Sequence, residues 1–89
     1  MNSVTTEAFR RFYAAASLQK QAQIKRAHKL WLESPAQPSL RFKKVHATEP
    51  IYSARVDLDW RVLGVMDGDA MVWFWVGPHD EYAQLLKRM

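Results

Sequence analysis

Three residues in the last third of the chain carry functional groups that can act on a phosphodiester. Arg61 lies in a strand-like run, and His79 and Tyr82 follow the next such run after a tight turn. A guanidinium can hold a phosphate through two parallel N–H···O bonds, and an imidazole changes its protonation state near neutral pH. A phenol can donate a proton or stack on a base. We therefore predict RNA chemistry here, provided that Arg61 and His79 converge on one solvent-open hollow.

Metal-free cleavage of RNA requires three functional groups. A base takes the proton of the 2′-hydroxyl, a cation stabilises the pentacoordinate phosphorane, and an acid protonates the leaving 5′-oxygen. His79 can serve as the base or the acid. Arg61 can supply the positive charge together with Arg55 of the preceding strand, and Tyr82 can assist. The predicted catalytic residues are therefore Arg61, His79, Tyr82 and Arg55.

The same residues also have simpler structural interpretations. Arg61 could form a cross-strand salt bridge with Asp57 or Asp59. His79 could be an exposed loop residue that caps the following helix, and Tyr82 could pack that helix onto the sheet. The sequence leaves these alternatives open.

Charge is distributed unevenly along the chain. Residues 10–46 contain nine Lys and Arg against one acid, a net charge of +8, whereas residues 47–81 have a net charge of −5. A basic half of this kind favours a polyanion or an acidic protein as partner. The alternative is that the basic side chains of the helices are simply solvated surface.

A compact basic run after the helices predicts contacts to the RNA backbone. The predicted RNA-binding residues are Lys43, Lys44, His46 and Arg41. Because side chains alternate along a strand, Lys43 should face away from Lys44 and His46, so these three cannot line one groove. His46 is also a second candidate for the general base.

Size and composition limit the class of protein. Eighty-nine residues predict one domain, residues 1–89, and the absence of cysteine excludes disulfides and thiolate metal sites. This composition fits the reducing cytoplasm. No signal peptide and no membrane segment of about 20 apolar residues is expected. The three histidines lack metal-ligand spacing, so we expect neither a metal nor another cofactor.

The elements that must position these residues can be read from periodicity and turn signals. Val4 is expected in a short edge strand, Thr5 or Thr6 should cap a first helix, and Ser17 should cap a second helix over Leu18–Glu33. Predicted strands cover residues 40–45, 51–58, 60–66 and 70–76, and a last helix covers residues 79–89. Gly68 should take a positive φ in the hairpin turn at residues 67–69.

The predicted fold class is α+β. An N-terminal helical hairpin packs on one face of a small twisted antiparallel sheet of three or four strands, followed by a short C-terminal helix. The opposite face of the sheet is expected to be free for binding.

The order and spacing of these segments resemble the RelE/ParE superfamily of bacterial toxins from type II toxin–antitoxin pairs. The segments that carry the resemblance are the helical hairpin with Ser34-Pro35, Leu40-Arg41-Phe42-Lys43-Lys44, Tyr52-Ser53-Ala54-Arg55-Val56, Trp60-Arg61-Val62, Asp67-Gly68-Asp69 and Trp75-Val76-Gly77-Pro78-His79-Asp80-Glu81-Tyr82. The resemblance covers nearly the whole chain and implies this superfamily's fold.

The resemblance also implies a partner and an activity. Such toxins are neutralised by an acidic, partly disordered antitoxin, and the nuclease branch cuts mRNA in the ribosomal A site without a metal. The strand arginine of the family corresponds to Arg61, a basic position of the preceding strand to Arg55, the basic residue after the glycine to His79, and the late tyrosine to Tyr82. The free toxin is expected to be a monomer.

Other members of the superfamily poison DNA gyrase, and this alternative remains open. The Tyr-Lys-x-Lys pattern of some ribosome-dependent members is here Tyr52-Ser53-Ala54-Arg55, so one lysine is absent. Asp80 and Glu81 add negative charge beside the expected phosphate site. Both departures favour a ParE-like gyrase inhibitor or a catalytically degenerate member that only binds its antitoxin.

Overall fold

The computed structural model describes residues 2–89, which form a five-stranded sheet and three α-helices. In chain order the elements are β1 (Asn2–Thr5), α1 (Glu7–Ala15), α2 (Leu18–Glu33), a 3-10 helix (Pro38–Leu40), β2 (Lys43–Lys44), β3 (Ile51–Arg55), β4 (Trp60–Asp67), β5 (Ala70–Pro78) and α3 (His79–Arg88).

Side-chain caps fix where the first two helices begin. The hydroxyl of Thr6 accepts a hydrogen bond from the backbone N–H of Phe9 (3.1 Å), and Ser17 accepts one from the N–H of Lys20 (3.1 Å). Each hydroxyl satisfies a backbone donor that the first helical turn leaves unpaired. The predicted caps and the predicted bounds of α2 are therefore confirmed.

The sheet is mixed, and it has five strands rather than the three or four predicted. The strand order is β1-β5-β4-β3-β2. β1 runs parallel to β5, with Asn2 opposite Ala70 and Thr5 opposite Trp73, and the other neighbours are antiparallel. β1 and β5 are separated by two helices and three strands, so no hairpin forces them to be antiparallel.

The strand predicted over residues 40–45 is largely wrong. Pro38 begins a 3-10 helix that includes Leu40, and Arg41 follows in a left-handed conformation (φ 45°). Proline lacks an N–H and has a fixed φ suited to a first helical turn, so the chain reaches strand geometry only at Lys43. β2 is therefore two residues long.

β3 ends three residues earlier than predicted because Asp57 forms a turn. Its carboxylate accepts hydrogen bonds from the backbone N–H groups of Asp59 and Trp60, both at 2.8 Å. Aspartate commonly stabilises turns by bonding to its own backbone a few residues ahead. β3 consequently stops at Arg55, and β4 begins at Trp60 as predicted.

Hydrophobic clusters lie on both faces of the sheet. The larger cluster packs the α1–α2 hairpin on one face and includes Trp31, Met71 and Trp73. The second cluster packs α3 on the other face through Tyr82, Leu85 and Leu86, around the buried Leu63 and Trp75. The prediction that this second face is free is therefore wrong, because the apolar stripe of α3 is buried against it.

A β-bulge interrupts the regular pairing of β4 with β5. Leu63 lies opposite Trp75 and Gly64 opposite Trp73, so Phe74 is an extra residue on β5. Phe74 and Trp75 both pack in the α3 cluster. A Cβ at Gly64 would lie 2.6 Å from the ring of Trp73, so the bulge needs glycine at this position.

Candidate functional site

Two arginines lie opposite each other on neighbouring strands, on the face covered by α3. Arg55 of β3 is the cross-strand partner of Arg61 of β4. Residues directly opposite in an antiparallel pair present their side chains on the same face. The guanidinium carbon of Arg61 lies 5.7 Å from the ring centroid of Tyr82 in α3, which fixes the face. The strand alternation thus places two positive charges beside α3.

The guanidinium of Arg61 has unused hydrogen-bonding capacity. Its Nη1 atom is buried and has no hydrogen-bond acceptor within residues 2–89. A buried donor without a partner costs about 1–3 kcal/mol, more when it is charged. An anionic oxygen bound at this point would remove that penalty, so the side chain is suited to an oxyanion.

The predicted alternative, a salt bridge from Arg61 to Asp57 or Asp59, is not formed. Asp57 pairs instead with Lys20 of α2, and Arg55 donates from Nε to the backbone carbonyl of Asp57 (3.3 Å). Partial burial acts to raise the pKa of Asp57, but hydrogen bonds from Lys20 and the turn N–H groups outweigh it and hold the pKa below its usual value. Asp57 therefore stabilises the turn and leaves Arg61 unpaired.

Tyr82 lies beside both Arg61 and His79. Its ring lies against Arg61 on one side, and its centroid is 5.5 Å from that of His79. Only 6% of Tyr82 is exposed, and its hydroxyl donates to Oγ of the fully buried Ser53 (3.3 Å). The phenol is therefore held inside the protein, where it supports the arginine and the histidine.

His79 is the first residue of α3, and it is exposed. Its backbone N–H donates to the carbonyl of Asp59 (2.6 Å), which ties the start of the helix to the β3–β4 turn. Pro78 precedes it with an extended backbone, so the helix begins sharply at the end of β5. The imidazole is consequently held at the edge of the site, beside Tyr82, with access to solvent.

Ser53 is a residue of this site that sequence reasoning missed. Because side chains alternate along a strand, Ser53 lies on the same face as Arg55. A small polar residue at the middle of a buried strand was the available signal, because a buried hydroxyl needs a partner. The partner, Tyr82, is 29 residues further along the chain and could not be assigned from spacing.

The comparisons with known proteins identify the family. The model of the ParE-like toxin domain matches residues 17–84. The chain belongs to the ParE-like toxin family. It is accordingly a RelE/ParE superfamily toxin of a toxin–antitoxin system. No curated protein matches its sequence significantly.

This ParE-like toxin shares its fold with solved toxins of low sequence identity. YafQ from E. coli BL21(DE3) aligns with a TM-score of 0.72 and 14% identity, covering 91% of this chain and 96% of YafQ. The RelB–RelE antitoxin–toxin complex from Methanococcus jannaschii gives 0.72 and 14%, covering 92% and 96%. The YoeB/ParE toxin from Agrobacterium tumefaciens gives 0.71 and 13%, covering 89% and 99%. These similarities establish the fold.

The residues predicted to bind RNA are only partly brought to the site of this ParE-like toxin. Lys43 is opposite Ser53 in the β2–β3 pair, so it lies on the face of the two arginines. Lys44 is opposite Tyr52, whose side chain packs in the hairpin cluster, so Lys44 lies on the other face. Arg41 precedes the strand, in left-handed backbone.

Both ring nitrogens of His46 form hydrogen bonds with backbone groups. Its Nδ1 accepts the backbone N–H groups of Thr48 (3.2 Å) and Glu49 (2.9 Å). The ring proton is therefore on Nε2, which donates to the carbonyl of Met89 (3.1 Å). A histidine whose basic nitrogen already accepts two hydrogen bonds is poorly placed to take a proton from RNA.

Negative charge also lies near the site of the ParE-like toxin. Asp80 and Glu81 are exposed in the first turn of α3, where carboxylates stabilise the positive end of the helix dipole.

Within the described residues, no three His, Asp or Glu side chains gather closely enough to bind a metal ion. No helix in the same range has the length and apolarity to cross a bilayer.

Proposed function

We propose that this ParE-like toxin is a metal-free endoribonuclease that cuts ribosome-bound mRNA in the cytoplasm and so inhibits translation. The observation that carries the proposal is the unpaired, partly buried guanidinium of Arg61. It is held on the ring of Tyr82, which also lies beside the exposed imidazole of His79, and Arg61 is opposite Arg55 in the sheet. A phosphate at this position would supply the missing acceptor.

Each residue then has a definite role. Arg61 and Arg55 hold the scissile phosphate and stabilise the additional negative charge of the phosphorane. His79 takes the 2′-hydroxyl proton, or delivers a proton to the leaving 5′-oxygen. The products of this step are a 2′,3′-cyclic phosphate and a free 5′-hydroxyl. Tyr82 is a positioning residue, because its hydroxyl is already bonded to Ser53.

The basic half of the chain supports the proposed partners. Lys43 lies on the face of the two arginines and would steer the RNA backbone towards them. The net charge of +8 over residues 10–46 also suits an acidic antitoxin. The M. jannaschii RelE and E. coli YafQ were each solved with an antitoxin, RelB and DinJ. We propose a cognate acidic antitoxin as the partner here too.

A second candidate function is inhibition of DNA gyrase, or antitoxin binding without catalysis. It is favoured by Asp80 and Glu81 beside the site, which repel a polyanion, and by Ser53 at a position where some relatives have a lysine. Ser53 is fully buried under Tyr82 and contributes no charge. This site therefore has one cation fewer than such relatives.

The two functions can be separated by mapping mRNA ends. The chain is expressed in cells and mRNA 5′ ends are sequenced; purified protein is then incubated with mRNA, with and without ribosomes. Cleavage that requires ribosomes, disappears in Arg61→Ala and falls strongly in His79→Ala supports the nuclease. Arg26→Ala, which removes an exposed arginine of α2, is the matched control. Intact mRNA together with growth arrest and DNA damage would instead support gyrase inhibition.

A further inference from the structure

A cavity of about 200 Å³ lies between the helical hairpin and the sheet, on the face opposite to Arg61. Its walls are buried apolar side chains from α1, α2 and the strands: Phe9, Ile24, Ala27, Trp31, Ala54, Val62 and Trp73. An apolar cavity of about 150 Å³ is large enough to take up benzene. This cavity can therefore hold one aromatic ring or a short alkyl chain.

The exposed residues that line this cavity mark its opening, and two of them are unpaired cations. They are Arg10 of α1 and Lys25 of α2. Within residues 2–89 the salt bridges are Arg11–Glu7 and Lys20–Asp57, so neither cation has an acidic partner. The guanidinium of Arg10 donates to the carbonyl (2.7 Å) and hydroxyl (3.1 Å) of Thr5, which also lines the cavity. Arg10 is thus held at the opening.

His28 completes the opening as a neutral group. Its Nε2 shares a hydrogen bond with Oγ of Ser3 (2.8 Å), and Ser3 also accepts the indole N–H of Trp73 (3.0 Å). Partial burial lowers the pKa of His28 below its usual value, which favours the uncharged ring at neutral pH. The positive charge at the opening therefore comes from Arg10 and Lys25.

The cavity wall also contains a polar atom without a partner. Trp31 lines the cavity and is 1% exposed, yet its indole Nε1–H has no acceptor among the described residues. Buried tryptophans usually find a partner for this N–H. This unpaired donor costs free energy in the folded protein.

We propose that this cavity is a binding site for a small amphipathic carboxylate, with an apolar body of one ring or a short chain. The apolar body lies among the buried side chains, including Trp31 and Trp73, and the carboxylate lies between Arg10 and Lys25. Apolar walls with a few converging polar groups at one end are the usual composition of small-molecule sites. The site is separate from the Arg61 face and does not depend on the proposed nuclease activity.

Octanoate, octanol and acetate test this proposal on the full chain, by isothermal titration calorimetry and tryptophan fluorescence. We expect one octanoate per chain and a change in emission, because Trp31 and Trp73 line the cavity. Octanol should bind more weakly, and acetate should not bind measurably. From hexanoate to octanoate, affinity should rise about fourfold per methylene, the value of burying one CH₂.

Charge variants test the carboxylate contact without changing the core. Lys25→Glu should weaken octanoate binding about tenfold and leave octanol binding unchanged, because only the anion meets the reversed charge. Lys29→Glu is the control, because Lys29 is exposed on the same helix and does not line the cavity. Ala27→Leu, which fills the cavity, should abolish binding of both ligands, with circular dichroism confirming that the variant folds.

Three results would overturn the proposal. The first is the absence of saturable octanoate binding to the natural chain. The second is an equal effect of Lys25→Glu and Lys29→Glu, which would assign binding to general surface charge. The third is a dimer, seen by sedimentation, that octanoate dissociates into monomers, because the opening would then be the contact for a second copy.

Discussion

The hydroxyl of Tyr82 donates to Oγ of Ser53, and both residues are buried between α3 and the sheet. This single contact fixes the ring that lies beside both Arg61 and His79. It links the strand that carries Arg55 to the helix that begins at His79. The geometry of the candidate site therefore depends on a pair of neutral hydroxyls beneath it.

Removal of the two hydroxyls of this pair should have non-additive effects on stability. Ser53→Ala leaves the buried phenol of Tyr82 without an acceptor, which should lower the free energy of unfolding by about 1–3 kcal/mol. Tyr82→Phe leaves the Ser53 hydroxyl unpaired, and we expect a similar loss. Because the double variant contains no unpaired hydroxyl, its loss should be smaller than the sum of the two single losses. Urea denaturation of all four proteins measures this cycle. Strict additivity would show that the hydroxyls do not interact.

Arg61 should be important for anion binding and unimportant for folding. Arg61→Met removes the buried unpaired Nη1 and keeps an apolar side chain against Tyr82, so the free energy of unfolding should stay within about 1 kcal/mol of the natural value or rise. Cleavage of mRNA should be lost. Sulfate should raise the melting temperature of the natural protein more than chloride at equal ionic strength, because only a bound oxyanion satisfies Arg61.

The Arg61→Met variant should lose this sulfate preference, whereas Arg26→Met, an exposed site on α2, should keep it. If both variants responded to sulfate like the natural protein, the anion would bind elsewhere and the assigned role of Arg61 would be wrong.

Asp57 should make stability depend on pH in the acidic range. Its pKa is lower in the folded state than in the unfolded chain, so its contribution is present above the unfolded pKa of about 3.9 and is lost as the pH falls through the folded pKa. Asp57→Asn should therefore lower the free energy of unfolding by about 1–2 kcal/mol at neutral pH, with the difference shrinking below about pH 4. Thermal denaturation from pH 7 to 2.5 measures it. Asp67→Asn, which removes an exposed carboxylate at the end of β4, is the matched control.

Two glycines of the β4–β5 hairpin, Gly64 and Gly68, should respond differently to alanine. At Gly64 a Cβ would lie 2.6 Å from the Trp73 ring and 2.7 Å from the sulfur of Met71, so Gly64→Ala should cost about 1–3 kcal/mol by overpacking. At Gly68 there is open space but a φ of 62°, so Gly68→Ala should cost only about 1 kcal/mol, from backbone strain. Urea denaturation compares them. An equal loss at both positions would contradict the crowding of the bulge.

Signals carried by neighbouring residues were sufficient to predict the helices. Ser17 marks the start of α2, and the Ser34-Pro35 pair marks its end. Gly68 marks the turn between β4 and β5, because that turn requires a positive φ. The left-handed Arg41 was not predictable, because nothing in its neighbours distinguishes it from a strand residue. The loss of the expected strand there results from Pro38, whose effect on the following residues depends on how they pack.

Long-range contacts account for what the sequence left open in the candidate site. Alternation along β3 puts Ser53 and Arg55 on one face, and Tyr82 could be predicted to pack α3 onto the sheet. The sequence did not show that α3 folds over that same face, because this depends on the direction taken by the chain after β5. The burial of Tyr82, and with it the support of Arg61, follows only from that packing.

The parallel pairing of β1 with β5 has a consequence for biosynthesis. Asn2 and Ala70 are neighbours in the sheet although 68 positions separate them, and β5 is also the neighbour of β4. Long-range pairing of this kind slows folding, because a large loop must close before the contact forms. The first strand thus has no neighbour in the sheet until β5 leaves the exit tunnel. A nascent chain consequently cannot complete its sheet until synthesis has passed β5.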